Sequence, residues 1–197
     1  MTAPSVLTRP LLLRLLRKLS RELEKRAVRG EILVLGGCAF VLAFKSRPAT
    51  KDLDAIFEPK ATILSIAGHI AKEEGLPEGW LNDGVKGFLS GTGETEPFLD
   101  LPGLRVFVPS AEYLFAMKAL SMRLSEESRD LEDLKFLIPR LGIRTLKEAM
   151  QLMEKYYPEE RIPPKTSYAL EELLEGAFIE KPAVKTQGKK IKLKPHK

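Results

Sequence analysis

The 197-residue chain predicts an α+β fold: a short mixed sheet within residues 31–108, an N-terminal helix before it and a helical half after it. Three observations carry this. Leucines recur at helical spacing near the N-terminus, short apolar or alternating runs bounded by Gly and Pro fill the middle, and helical periodicity dominates after Pro109. A hydrophobic share of 44% against 30% charged residues excludes disordered and collagen-like chains.

Leu12, Leu13, Leu16, Leu19 and Leu23, with Arg14, Arg17, Lys18, Arg21 and Glu24 between them, predict an amphipathic helix over 10–28, closed by Gly30. The run 31–35 ending in Gly36 and Gly37 reads as a buried strand that turns sharply into a short helix over 38–44. A loop over 45–51 leads to a second strand over 52–58, with Leu53, Ala55 and Phe57 on one face and Asp52, Asp54 and Ile56 on the other. A helix over 61–74 stops at Gly75 and Pro77. Gly, Ser and Thr make 84–97 a mobile loop, and 104–108 is a third strand. Helices follow over 111–124, 128–141, 146–157 and 168–178, with Thr145 and Glu148 forming a capping box for the third. The expected organisation is an N-terminal helix plus α/β core over 1–108, a helical region packed on it over 109–180, and a flexible Lys-rich tail over 181–197.

The formal net charge of +5 at first suggests a nucleic-acid binder. Residues 181–197 hold seven lysines and no acid, however, so residues 1–180 carry −2. One cysteine, Cys38, excludes an intramolecular disulfide, and two histidines leave little for zinc. Arg14, Arg17 and Lys18 interrupt the N-terminal leucines, which excludes a signal-peptide core, and no apolar stretch is long enough to span a membrane. The expectation is a soluble cytoplasmic protein.

The stretch richest in chemistry is Gly36-Gly37-Cys38-Ala39 followed, with Arg47 ten positions on from Gly37, by Arg47-Pro-Ala-Thr50-Lys51-Asp52-Leu53-Asp54. Two carboxylates at i and i+2 on a strand point to one side and can converge on a hard divalent cation. Paired glycines bring unobstructed backbone N–H groups close to a phosphate. Arg47, Thr50 and Lys51 supply donors and positive charge beside it. Taken singly, alternating acids are also what a solvated strand face looks like, and a Gly-Gly pair is also an ordinary turn.

The combination resembles the nucleotidyltransferase fold of the DNA polymerase β superfamily. It is closer to the small prokaryotic branch containing AbiEii-type toxins and related nucleotidyltransferase-like proteins. Trp80-Leu-Asn82-Asp83, Tyr113 to Arg123, and Arg129-Asp130-Leu-Glu-Asp133-Leu are similar to that branch, so the likeness spans roughly residues 30–140. The resemblance implies that Gly36 and Gly37 cradle nucleotide phosphates with Arg47, Thr50 and Lys51, that Asp52 and Asp54 hold Mg²⁺, and that Lys118 and Asp130 are catalytic. It implies a nucleoside triphosphate as substrate, a hydroxyl acceptor on a protein, an RNA end or a small molecule, and an antitoxin-like partner. One departure stands out: the third strand, Leu104-Arg-Val-Phe-Val108, lacks the third carboxylate of polymerase-like members, and Asp100, the nearest candidate, falls in an expected turn before Pro102. That departure favours an alternative, a catalytically silent module of the same fold that holds RNA or a partner protein, aided by the tail.

Several of these residues have plainer readings. Lys118, between apolar neighbours, is also explained by snorkelling. Asp130, Glu132 and Asp133 after Ser128 also suit a capped helix N-terminus. Cys38 is expected behind the glycine turn rather than paired with His69 as a nucleophile, His69 on a helix surface, Trp80 as a loop anchor, and Met117, Met122, Met150 and Met153 in the core.

Overall fold

The computed structural model describes residues 6–123 and 129–179, with backbone alone over 177–179. In chain order the elements are β1 (Leu7–Thr8), α1 (Arg9–Lys25), β2 (Gly30–Val34), α2 (Gly36–Ala39) running into a π-helical turn (Phe40–Phe44), β3 (Ala49–Thr50), β4 (Leu53–Glu58) and α3 (Lys60–Glu74). They continue with β5 (Leu81–Asn82), β6 (Thr95–Leu101), β7 (Leu104–Pro109), α4 (Ala111–Ser121), α5 (Asp130–Arg140), α6 (Leu146–Glu154) and α7 (Pro164–Ile179). The chain is α+β, as expected. Among the described residues no helix is long and apolar enough to cross a membrane.

Five strands form one mixed sheet in the order β5-β4-β2-β7-β6. The central β2 is antiparallel to β4 and parallel to β7; β5 lies parallel to β4, and β6 antiparallel to β7. The alternation in β4 does what its period dictates: Leu53, Ala55 and Phe57 are buried, while Asp54 and Ile56 on the other face are half-buried. The buried face joins Ile32, Val34, Leu104 and Val106 in a core closed by α1 and α3. In α1 the leucine stripe at 12, 15, 16, 19 and 23 is fully buried. Each such side chain contributes about 1.5–3 kcal/mol of burial. Arg14 and Lys18 on its outer flank tie down Glu74 of α3, each at 2.7 Å.

A second core lies on the helical side. Leu35, Ala39 and Phe40, which follow β2, join buried residues of α4, α5, α6 and α7, and Leu33 and Ile56 of the opposite sheet face pack against it. The Thr145–Glu148 capping box forms at α6, and Met117, Met122 and Met153 are buried.

Several expected boundaries move. The first helix ends at Lys25 rather than 28, because Ala27 adopts φ +53°; Gly30 begins β2 instead of closing the helix. The expected mobile loop is partly strand, with Thr95–Leu101 forming β6, so Asp100 lies in a strand rather than a turn. The rest of that segment is pinned: Ser90 N donates to the Tyr113 hydroxyl at 2.8 Å, Ser90 Oγ to the Tyr156 carbonyl at 2.6 Å, and Tyr157 OH to the Phe88 carbonyl at 2.6 Å. The last helix starts at Pro164, a residue suited to a first helical turn. The expected Ser128 cap and the Lys-rich tail lie outside the described residues.

Candidate nucleotide and metal site

The site is built where β2 ends beside the start of β4. The ladder closes with Leu35 N–H donating to the Asp54 carbonyl at 2.8 Å, so the glycine turn passes directly over Asp54. Gly36 has φ +55°, a left-handed conformation costly for any residue with a Cβ. A Cβ there would also stand 2.8 Å from Asp54 Oδ2. Gly37 is required by contact instead: a Cβ would meet Thr50 Oγ1 at 2.9 Å and Arg47 Nη1 at 3.0 Å. Arg47 and Thr50 of the 45–51 segment and Asp54 of β4 therefore border the glycine turn.

The loop that carries Arg47 and Thr50 is held from the N-terminus. β1 and β3 pair antiparallel, with Leu7 opposite Thr50 and Thr8 opposite Ala49. Arg9 Nε donates to the Leu42 carbonyl at 3.1 Å. Lys51, at the crest of the loop, is exposed. On the far side of β4, Asn82 of β5 lies opposite Asp54 in register and hydrogen-bonds its carboxylate. Trp80, just before it, is buried and donates from Nε1 to the Ala67 carbonyl at 3.0 Å, the anchor expected of it.

Burial pushes the Asp54 carboxyl above its ordinary value of 3.8, and the charge of Asp52 pushes it further. The Asn82 hydrogen bond and the charges of Lys118 and Arg123 oppose this without cancelling it. Two neighbouring carboxylates are a hard oxygen donor set, which fits Mg²⁺. Among the described residues no group of three His, Cys, Asp or Glu side chains is arranged to hold a metal. Asp100, the expected nearest source of a third carboxylate, pairs instead with Arg29 at 2.6 Å on the exposed surface.

Lys118 and Asp130 meet at 2.7 Å, and Lys118 also contacts Asp133 Oδ2 at 3.0 Å. Arg47 reaches Asp133 in a two-pronged pair, Nε to Oδ1 and Nη2 to Oδ2, both 2.6 Å, and Nη2 also donates to the Arg129 carbonyl at 3.1 Å. Asp130 and Asp133 are 7% and 2% exposed, so this is a largely desolvated network rather than a helix-dipole decoration. Burial raises the Asp133 carboxyl against the pull of Lys118 and Arg47. Both cations lie over the Phe40 ring, at 5.5 Å for Arg47 and 5.8 Å for Lys118. Asp133, which the sequence places among the capping acids, shares a helix face with Asp130 through its i, i+3 spacing, but its Arg47 partner lies 86 residues away in the chain.

Cys38 is buried behind the turn. Burial, with the nearby charges of Asp54 and Asp52, lifts its thiol well above 9.0, so it is no nucleophile. His69 is exposed on α3. Comparison with protein families, curated proteins and solved structures finds no match to this chain.

Proposed function

We propose that the chain is a Mg²⁺-dependent nucleotidyltransferase that moves a nucleotidyl group from a nucleoside triphosphate to a hydroxyl acceptor. The observation that carries this reading is the Asp52–Asp54 pair at the mouth of β4, with Asp54 against Gly36, where a Cβ would stand 2.8 Å from its Oδ2. Asp52 and Asp54 would hold Mg²⁺, which supplies charge neutralisation at the phosphates and activation of the acceptor hydroxyl. In the step, the acceptor oxygen bonds to the α-phosphorus, the α–β bridging P–O bond breaks, pyrophosphate leaves and the hydroxyl proton passes to solvent.

The chain's own groups divide the remaining work. Gly36 and Gly37 leave room for the phosphate chain. Arg47 Nη1 and Thr50 Oγ1 border the space above Gly37 and offer donors to it. Lys51, on the exposed crest, adds positive charge at the entrance. Lys118, held by Asp130 at 2.7 Å and Asp133 at 3.0 Å, stands fixed on the helical wall.

On this reading the carboxylate pair takes the triphosphate as its magnesium complex. Arg47 and Lys118 are engaged by Asp130 and Asp133, and the charge of Asp52 still bears on Asp54, opposed in part by Lys118 and Arg123. The Asp52 and Asp54 carboxylates repel the phosphates of a bare triphosphate, and a bound magnesium ion relieves that repulsion. The acceptor on this reading is a protein side chain, an RNA end or a small molecule, with a toxin–antitoxin role and an antitoxin-like partner as the biological setting. The test is incubation of the chain with each labelled nucleoside triphosphate, Mg²⁺ and cell extract. One labelled acceptor, absent with Asp52→Ala plus Asp54→Ala, is the expected result, and no labelled molecule overturns it.

The lack of any carboxylate in the β7 run 104–108 favours a second reading, a catalytically silent module that holds RNA or a partner protein. RNA binding that falls steeply with salt and disappears on removing residues 181–197 supports that reading; nucleotidyl transfer that survives the removal supports the first.

A further inference from the structure

We propose that Asp133 is a positioning residue that aims Arg47 Nη1 at the Gly37 turn, and that this nitrogen and the Thr50 hydroxyl form the phosphate-recognising pair of the site. The inference rests on the nucleotide-binding reading above and adds to it a residue and a division of labour. Arg47 has three nitrogens. Nε and Nη2 are committed to the two oxygens of Asp133, and Nη2 to the Arg129 carbonyl as well. The guanidinium is planar, so fixing two of its corners fixes the third. That third nitrogen, Nη1, stands 3.0 Å from where a Gly37 side chain would begin, and Thr50 Oγ1 stands 2.9 Å from the same point. The place is free only because residue 37 is glycine, and it is bordered by two hydrogen-bond donors.

Asp133 comes from α5, 86 residues further along the chain, and is 2% exposed. An acid serving only the helix dipole sits in solvent, as the neighbouring Glu132 does. Asp133 Oδ2 also receives Lys118, so one buried carboxylate orients a cation from the loop and another from α4. Lysine at position 47 could keep the ion pair but would spend its only nitrogen there, leaving nothing over Gly37.

The test uses the full chain, its Arg47→Lys and Asp133→Asn variants, and two probes. Calorimetry with Mg²⁺ and AMP, ADP or ATP reads phosphate recognition; spin resonance with Mn²⁺ alone reads the Asp52–Asp54 pair. The wild type is expected to gain affinity from AMP to ATP. Each variant is expected to lose about tenfold or more in ATP affinity and to shrink the ATP-to-AMP ratio by the same factor, with Mn²⁺ affinity unchanged. Should Asp133→Asn fail to fold, Arg47→Lys, which keeps the buried charges balanced, decides the matter. Variants that bind nucleotide with the wild-type ratio overturn this proposal alone. A wild type that binds Mn²⁺ but no nucleotide overturns it together with the nucleotidyl-transfer reading.

Discussion

Replacing Asp54 by Asn should stabilise the metal-free protein while abolishing its response to Mg²⁺. Burial already disfavours the ionised Asp54 carboxyl, and Asp52, in the bend just before β4, adds its repulsion; two like unit charges about 7 Å apart repel by about 0.6–2.4 kcal/mol at an effective dielectric between 80 and 20. Lys118 and Arg123 offset part of it, and a net gain of about 1 kcal/mol in the variant is the expectation, or about 2–4 °C in melting temperature for a chain of this size. Asn is isosteric, so the contact with Gly36 and the neighbouring Asn82 persist. The pH dependence has a definite sign. Because the folded carboxyl lies above its ordinary value, the folded state holds that proton more tightly than the unfolded one, and ionisation costs stability as pH rises from about 3.8. The stability difference, variant minus wild type, should therefore grow from acid toward neutral pH and level off above the folded value. With Mg²⁺ at ten times its dissociation constant the wild type should gain about 1.4 kcal/mol and the variant nothing. Thermal melts with and without Mg²⁺ read both effects. A variant that melts below the wild type at neutral pH without metal, or that responds equally to Mg²⁺, refutes the argument.

The glycines give further tests. Gly36→Ala should cost about 1–2 kcal/mol for the left-handed backbone alone and should weaken Mn²⁺ binding by displacing Asp54, whereas Gly37→Ala should spare Mn²⁺ affinity and lower that for ATP. Equal effects of the two on Mn²⁺ would contradict the division of roles. Gly103→Ala should cost about 3 kcal/mol or more, since its Cβ would fall on the backbone of α1 at Ser20 and Glu24, neither of which can rotate aside. A urea midpoint shifted by less than about 1 kcal/mol equivalent would show that α1 packs there less tightly than described.

Local periodicity made the framework legible. The leucine face of α1, the alternation of β4 and the Thr145–Glu148 cap all follow from short-range rules and fall where spacing puts them. β6 was hidden because its exposed Thr, Glu and Pro residues, with a register shift between Pro97 and Leu99, carry no strand pattern; pairing with β7 on one side alone holds it. The two-residue β1–β3 ladder is too short for any pattern, yet it fixes the loop that bears Thr50. The site divided along the same line. Gly36, Gly37, Thr50, Asp52 and Asp54 lie within one short segment, and their spacing exposes them. Asp133 acquires its role only when α5 folds back onto the Arg47 loop, a contact that charge patterning along one helix does not reveal.

The central claim is that Asp52 and Asp54 bind a nucleoside triphosphate through a divalent cation. Calorimetric titration of the full chain with ATP, with and without Mg²⁺, tests it most directly when repeated on Asp52→Ala plus Asp54→Ala. Saturable binding that needs Mg²⁺ and vanishes in the double variant is the predicted result; no Mg²⁺-dependent binding, or binding the double variant retains, contradicts it.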